Sequence, residues 1–233
     1  MRTFKRKNNE LCKLEKNEDF ASESFDEMIN SSRYPIPTDR FRSDIEVERS
    51  RFIATVQQTT SADQAQLFIA EIKAEFPDAN HNCWAYLVGP PGSSDQIGMS
   101  DDGEPHGVAG KPMLTALQYS GLGDTAVVVT RYFGGVKLGK GGMVKAYTAA
   151  VKTALDQVPR SERIDWCSFQ AIIGYALVTP FERQLAEYEL EILDTDYGEQ
   201  VRYQLRLPKE RLEAFRKMFD DLTAGQGELK LLD

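Results

Sequence analysis

The residues best placed to do chemistry lie in one block, Thr125 to Leu155 (TAVVVTRYFGGVKLGKGGMVKAYTAAVKTAL). It carries Arg131, Lys137, Lys140, Lys145 and Lys152 and no acidic residue, in a chain whose net charge is -8. A basic, glycine-lined segment on an acidic protein is where an anion would bind. Gly134 and Gly135 follow an apolar run, and Gly139, Gly141 and Gly142 precede a helix. Glycine lets backbone approach a ligand and adopt positive φ. The unpaired N–H groups of a helix start favour phosphate. Lys137 and Lys140 stand in the loop; Lys145, Thr148 and Lys152, at i, i+3 and i+7, share one solvent face of the helix. With Arg131 just before the turn, these residues could line a phosphate-bearing groove. Tyr132 and Phe133 could stack on a base. The loop is not a P-loop, because it lacks the GxxxxGK[ST] spacing. The plainer account is that the glycines only make tight turns and the lysines only keep the surface wet.

A second constellation is Ser100-Asp101-Asp102-Gly103-Glu104-Pro105-His106. Carboxylates and a histidine this close could bind a cation or do acid–base work at Asp101, Asp102, Glu104 and His106. The plainer account is an acidic turn in which Asp101 or Asp102 caps the next element. There is no G-x-S-x-G, no HExxH and no Cys–His pairing, so no catalytic residue, metal site or cofactor is assigned.

The elements that must position these residues are legible from periodicity. Glu46–Gln58 reads as a strand. Ser61 and Gln64 form a capping-box signal for a helix with Ala65, Phe68, Ile69 and Ile72 on one face, ending at Pro77. Asn82–Val88 reads as a strand, 89–103 as a turn-rich loop, and Val108–Tyr119 as a helix. Ala126–Val129 is a short buried strand, and a helix follows Gly142. Pro159–Ile164 is polar enough to be a linker. Beyond it come a strand (Phe169–Val178), a helix capped at Thr179-Pro180-Phe181-Glu182, strands around 193–197 and 200–207, a helix opened by Pro208, and a last strand at Glu228–Leu232. That order, βαββαβ, is ferredoxin-like.

At 233 residues and 41% apolar, the chain has room for two modest domains. A pI near 5.0 excludes a protein that coats nucleic acid over its whole surface, so any such contact must be local. Cys12, Cys83 and Cys167 are far apart and without a CxxC pair, which reads as packed free thiols. No apolar run approaches the ~20 residues that span a bilayer. The start MRTFKRKNNE lacks an apolar h-region, which points to a cytoplasmic protein with no membrane contact. Residues 1–33 read as a mobile extension; its basic Arg2, Lys5, Arg6 and Lys7 could touch an anion, and Met28 could be the true start.

The run GKPMLTALQYSGLGDTAVVVTRYFGGVKLG, from Gly110 to Gly139, resembles the signature of the IMPACT family in its bacterial, YigZ-like branch. RSRFIA at Arg49–Ala54, PDANHNCWAY at Pro77–Tyr86, SDDGEPHGVAGKP and LGKGGMVKAY agree with it. The resemblance is dense over residues 40–157. It implies an α+β architecture. Residues 34–160 would be a ribosomal-protein-type α/β domain with a left-handed βαβ crossover, like domain IV of elongation factor G and the GHMP kinases. Residues 165–233 would be a ferredoxin-like domain, like domain V of elongation factor G. Eukaryotic members are tied to translational control through a regulator of an initiation-factor kinase, by way of an additional N-terminal module for which the first 33 residues leave no room.

Three functions follow as expectations. The first is a non-catalytic protein that binds RNA or the ribosome through Arg131, Lys137, Lys140, Lys145 and Lys152 and modulates translation. The second is an enzyme on a phosphorylated or nucleotide ligand held by the Gly134–Gly142 loop. The third is a module whose protein partner docks on the C-terminal domain.

Overall fold

The computed structural model describes residues 33–232. The readings placed on residues 1–32, including the mobile extension, its basic residues, Met28 and Cys12, lie outside the described residues. Arg33 does not belong to an extension: it opens strand β1 (Arg33–Pro37).

The fold is mixed α+β. One sheet has five antiparallel strands in the order β2-β3-β6-β4-β5, namely β2 (Phe41–Val47), β3 (Ser50–Gln58), β6 (Thr125–Tyr132), β4 (His81–Val88) and β5 (Gln96–Ser100). The central strand β6 is buried along almost its whole length, with the apolar run Ala126–Val129 at its middle, because both of its faces are covered. Helix α1 (Ala62–Glu75) lies on one face, where Ala65, Phe68, Ile69 and Ile72 meet Ala126 and Val128. Helices α2 (Gly110–Gln118) and α3 (Gly139–Gln157) lie on the other, over Phe52, Cys83, Ala85, Val127 and Val129. β3 and β4 are both antiparallel to the intervening β6, hence parallel to each other, with α1 as the crossover.

The Ser61 cap is real: Gln64 N donates to Ser61 Oγ at 3.2 Å, and the Gln64 side chain reaches back to Thr60 N at 2.9 Å. Other expectations need correction. Glu46–Gln58 is not one strand but the hairpin β2–β3, turned at Glu48 and Arg49, which both have positive φ (47 and 65). The 89–103 loop contains the edge strand β5. The expected linker Pro159–Ile164 holds β7 (Arg160–Ile164), which pairs with β1 in a two-stranded ribbon. That ribbon is pinned by buried Asp124, which accepts from Tyr34 Oη at 2.9 Å and from Arg163.

The C-terminal sheet has the order β11-β8-β10-β9, built from β8 (Trp166–Ile173), β9 (Glu191–Tyr197), β10 (Val201–Pro208) and β11 (Glu228–Leu232). Taken in chain order this is 4-1-3-2, all antiparallel, as the ferredoxin-like reading requires. Its own core gathers Phe169, Tyr203, Leu205 and Leu207 against Phe181 of α4 (Val178–Glu182) and Phe215 and Phe219 of α5 (Leu212–Thr223). The Thr179 capping box does not form: α4 starts at Val178, so Thr179 sits inside the first turn and caps nothing. Among the described residues, no helix is long and apolar enough to cross a membrane.

Candidate nucleic-acid interface

Helix α3 buries Met143, Ala146, Tyr147, Ala150, Val151, Ala154 and Leu155 against the sheet. Its opposite side therefore faces solvent and carries Lys145, Thr148 and Lys152, while Lys140 is exposed in the open first turn. The helix begins at Gly139, four residues earlier than the sequence suggests, so Gly139, Gly141 and Gly142 lie in its first turn rather than before it. No side chain caps this start and no acidic residue lies in the first turn. The N–H groups there are left to solvent or to an anion.

The charges on this face stand out within the N-terminal part of the chain. Within the described residues 34–157, Arg40, Arg42, Arg51, Lys73 and Arg131 are each in an ion pair. The remaining cations, Arg49, Lys111, Lys137, Lys140, Lys145 and Lys152, have no carboxylate partner among the described residues. All six lie on α3, on the adjoining turns or at the start of α2. Two grooves flank α3. One, of about 500 Å³, runs between α2 and α3 and holds Lys111, Tyr119, Thr148 and Lys152. The other, of about 470 Å³, lies between the β2–β3 hairpin and the start of α3 and holds Glu48, Lys137, Gly142 and Lys145.

Arg131 does not join them. It shares one face of β6 with Val127 and Val129 and so points into the core under α3. There it is 6% exposed, donates to the equally buried Glu104, and stacks near Phe52 and Phe133. A buried guanidinium needs a carboxylate, and Glu104 also accepts from Tyr147 Oη at 2.8 Å. Burial, with Cys83 and Glu104 beside it, pushes the Tyr147 phenol far up. Burial likewise pushes the Cys83 thiol up to about 12, and the side chain is fully enclosed beside the acidic loop. Tyr132 points to the α1 side instead, with its hydroxyl on Asp78 at 2.8 Å, and is separated from the lysines by the sheet.

The acidic constellation is spent on holding its own loop. The Asp101 carboxylate accepts from Gly107 N, Ala109 N and Gly110 N at 2.8, 3.0 and 2.9 Å, which caps α2 from outside the helix. Burial alone would raise its pKa, but those three donors outweigh it and hold the carboxyl below the usual range. Asp102 accepts from Asn82 N and pairs with Lys73, both at 2.6 Å. His81, which sequence reasoning left out, bonds the Asp102 carbonyl through Nδ1 at 2.8 Å and brings Nε2 to 4.0 Å from Glu104. His106 projects fully into solvent.

Of the glycines named from sequence, Gly134 is fixed by contact: a Cβ there would lie 1.9 Å from Arg49 O. Gly135 and Gly141 have open space around them. The structure thus keeps Lys137, Lys140, Lys145, Lys152 and the helix start together, removes Arg131 and Tyr132, and adds Arg49, Lys111 and Tyr119. A sequence signal existed for the additions on α2: Lys111, Thr115 and Tyr119 repeat at i, i+4 and i+8 on one helix face.

Comparison with known proteins agrees with these motifs. Residues 48–155 match the Impact N-terminal domain, and residues 172–226 match a domain of unknown function, DUF1949. An IMPACT family member from Haemophilus influenzae is 37% identical over 202 residues, covering 87% of this chain and 98% of that protein. IMPACT family member YigZ of Escherichia coli is 37% identical over 188 residues, covering 81% and 92%. IMPACT family member YvyE of Bacillus subtilis is 36% identical, covering 80% and 85%. A crystal structure of a hypothetical protein is 36% identical with a TM-score of 0.59, covering 86% of this chain and 98% of its own. With both sequence blocks matched in order and nearly the full length of these relatives covered, the chain belongs to the IMPACT family.

Proposed function

We propose that this protein binds RNA, on the ribosome, through the solvent face of α3, and modulates translation without catalysing a reaction. The observation that carries the reading is the segregation of free cations. In an acidic molecule whose other cations between residues 34 and 157 are neutralised by carboxylates, the six that are not lie on α3, on the turns beside it or at the start of the neighbouring α2. Unpaired lysines on a solvated face contribute little to folding, whereas next to a phosphate backbone each releases a counterion. In this reading the activity belongs to residues 34–160, and residues 165–233 form a second domain. There the exposed sheet face pairs its arginines, Arg202 with Asp196 and Arg206 with Glu191.

The test is association of the full-length protein with ribosomes and with RNA. Lys137→Glu, Lys140→Glu and Lys145→Glu together should weaken it at least roughly tenfold while leaving thermal unfolding unchanged. Undiminished association of that folded variant refutes the reading.

A further inference from the structure

The groove between α2 and α3 differs from its neighbour across α3 in having an aromatic wall and no carboxylate. Lys111, Thr115 and Tyr119 form one i, i+4, i+8 stripe on α2, and Val144, Thr148 and Lys152 form another on α3. The two stripes line the same cavity of about 500 Å³, with Pro112 and Ala116 also in its lining. That volume lies in the range of pockets that enclose a small organic group. Tyr119 ends α2 with 77% of its surface exposed and makes no side-chain hydrogen bond or ring contact with any described residue. A large ring held mostly in solvent contributes little to the core. Lys111 and Lys152 are also without carboxylate partners. The groove on the other side of α3 has Lys137 and Lys145 but no ring, and includes Glu48.

Resting on the RNA-binding reading, we infer that the α2–α3 groove holds an unpaired base of a single-stranded RNA. The base stacks on Tyr119 over the small apolar lining, Lys111 and Lys152 hold the flanking phosphates, and the strand continues over the lysine face of α3. Charge complementarity selects a polyanion: the lining contains two lysines and no carboxylate, and the free cations extend past the groove. The ring selects a base rather than bare phosphate, since stacking is tolerant of sequence and needs only an exposed π-face. A duplex keeps its bases stacked inside and cannot offer one.

The test uses the full chain and fluorescence anisotropy. The probes are a short single-stranded oligoribonucleotide, the same length of duplex, an all-abasic strand of equal phosphate number, a nucleoside monophosphate and a poly-glutamate peptide. The single strand should bind roughly five- to a hundredfold more tightly than the abasic strand. Tyr119→Ala should erase that advantage without changing abasic affinity, and Tyr119→Phe should keep it. Because Tyr119 is exposed, its replacement leaves the core intact. Equal affinity for abasic and normal strands, or an advantage that survives Tyr119→Ala, overturns the base site while phosphate binding by α3 stands. A monophosphate that binds as tightly as the strand, or displacement of the strand by poly-glutamate at equal charge, reassigns the groove and overturns it as well. Binding to no strand at all brings down both readings.

Discussion

Arg131 and Glu104 face each other inside the packed side of the sheet, with Tyr147 as a second donor to the carboxylate. Arg131 Nε has no partner there; among the described residues Glu104 is the carboxylate that offsets burial of the charge, with Met143 Sδ at 3.6 Å and the Phe52 and Phe133 rings beside it. Removing one member of such a pair leaves a bare buried charge. Arg131→Ala should therefore lower unfolding free energy by about 3–5 kcal/mol, and the double variant Arg131→Met, Glu104→Leu should lose less than either single change, both measured in urea. Were Arg131 instead an RNA contact, the single variant would weaken binding and spare stability. Asp101 acts at the same scale but through pH. Its carboxyl is held below the ordinary value in the folded chain, so the folded state binds its proton less readily than the unfolded one. The resulting stability is complete above the unfolded value of about 3.9 and is lost as pH falls through the folded value. Asp101→Asn should destabilise the protein at pH 7 by about 1–3 kcal/mol, and the melting temperatures of the two proteins should converge in acid. Parallel curves down to the lowest pH would show that the three N–H bonds do not favour the charged form.

At the scale of elements, the join between β6 and α3 decides where the lysines stand. Gly134 lets that join pass against the β2–β3 turn, where Arg49 O sits 1.9 Å from the place of a Cβ and Ser50 Oγ accepts from Gly134 N at 3.2 Å. Gly134→Ala should displace the hairpin and cost about 1–3 kcal/mol, as overpacking does. Gly141→Ala meets nothing within 4 Å and should raise stability by about 0.5–1 kcal/mol, because alanine favours a helix. Calorimetry of the two variants should give shifts of opposite sign, and a loss in both would mean that the first turn of α3 is not helical in solution. The same join shows what was legible beforehand. The strand–glycine–helix order, the capping by Ser61, the α1 and α3 core faces and the ferredoxin-like order are all carried by apolar period and turn residues. The β2–β3 turn escaped because Glu48 and Arg49, not glycine or asparagine, adopt its positive φ. β7 escaped because RSERI, in an exposed ribbon, has no apolar alternation. The start of α3 escaped because three glycines and no capping residue give no helix signal. Arg131 was misplaced because its partner Glu104 lies 27 positions away, beyond the reach of local spacing.

For the whole molecule the question is how a chain of net charge -8 attracts a polyanion at all. At ordinary salt the Debye length is about 8–10 Å, so a distant carboxylate hardly weakens a local cationic face. From Lys140 to Lys152 the axial rise along α3 is about 18 Å, roughly two screening lengths, and the ligand would respond to this face rather than to the molecule's total charge. Salt dependence then reads out how many cations engage. If Lys137, Lys140, Lys145 and Lys152 each neutralise one phosphate of a single strand, log affinity should fall against log salt with a slope of about -3, and with Arg49 and Lys111 included about -4. Lys145→Gln should reduce the steepness by about 0.7. Arg202→Gln, which breaks an exposed ion pair with Asp196 on the C-terminal sheet, should leave the slope alone. Titrating the full-length protein and both variants across a salt series separates a local face from a diffuse field. A slope near zero, or one changed as much by Arg202→Gln as by Lys145→Gln, would mean that α3 is not where the charge is read.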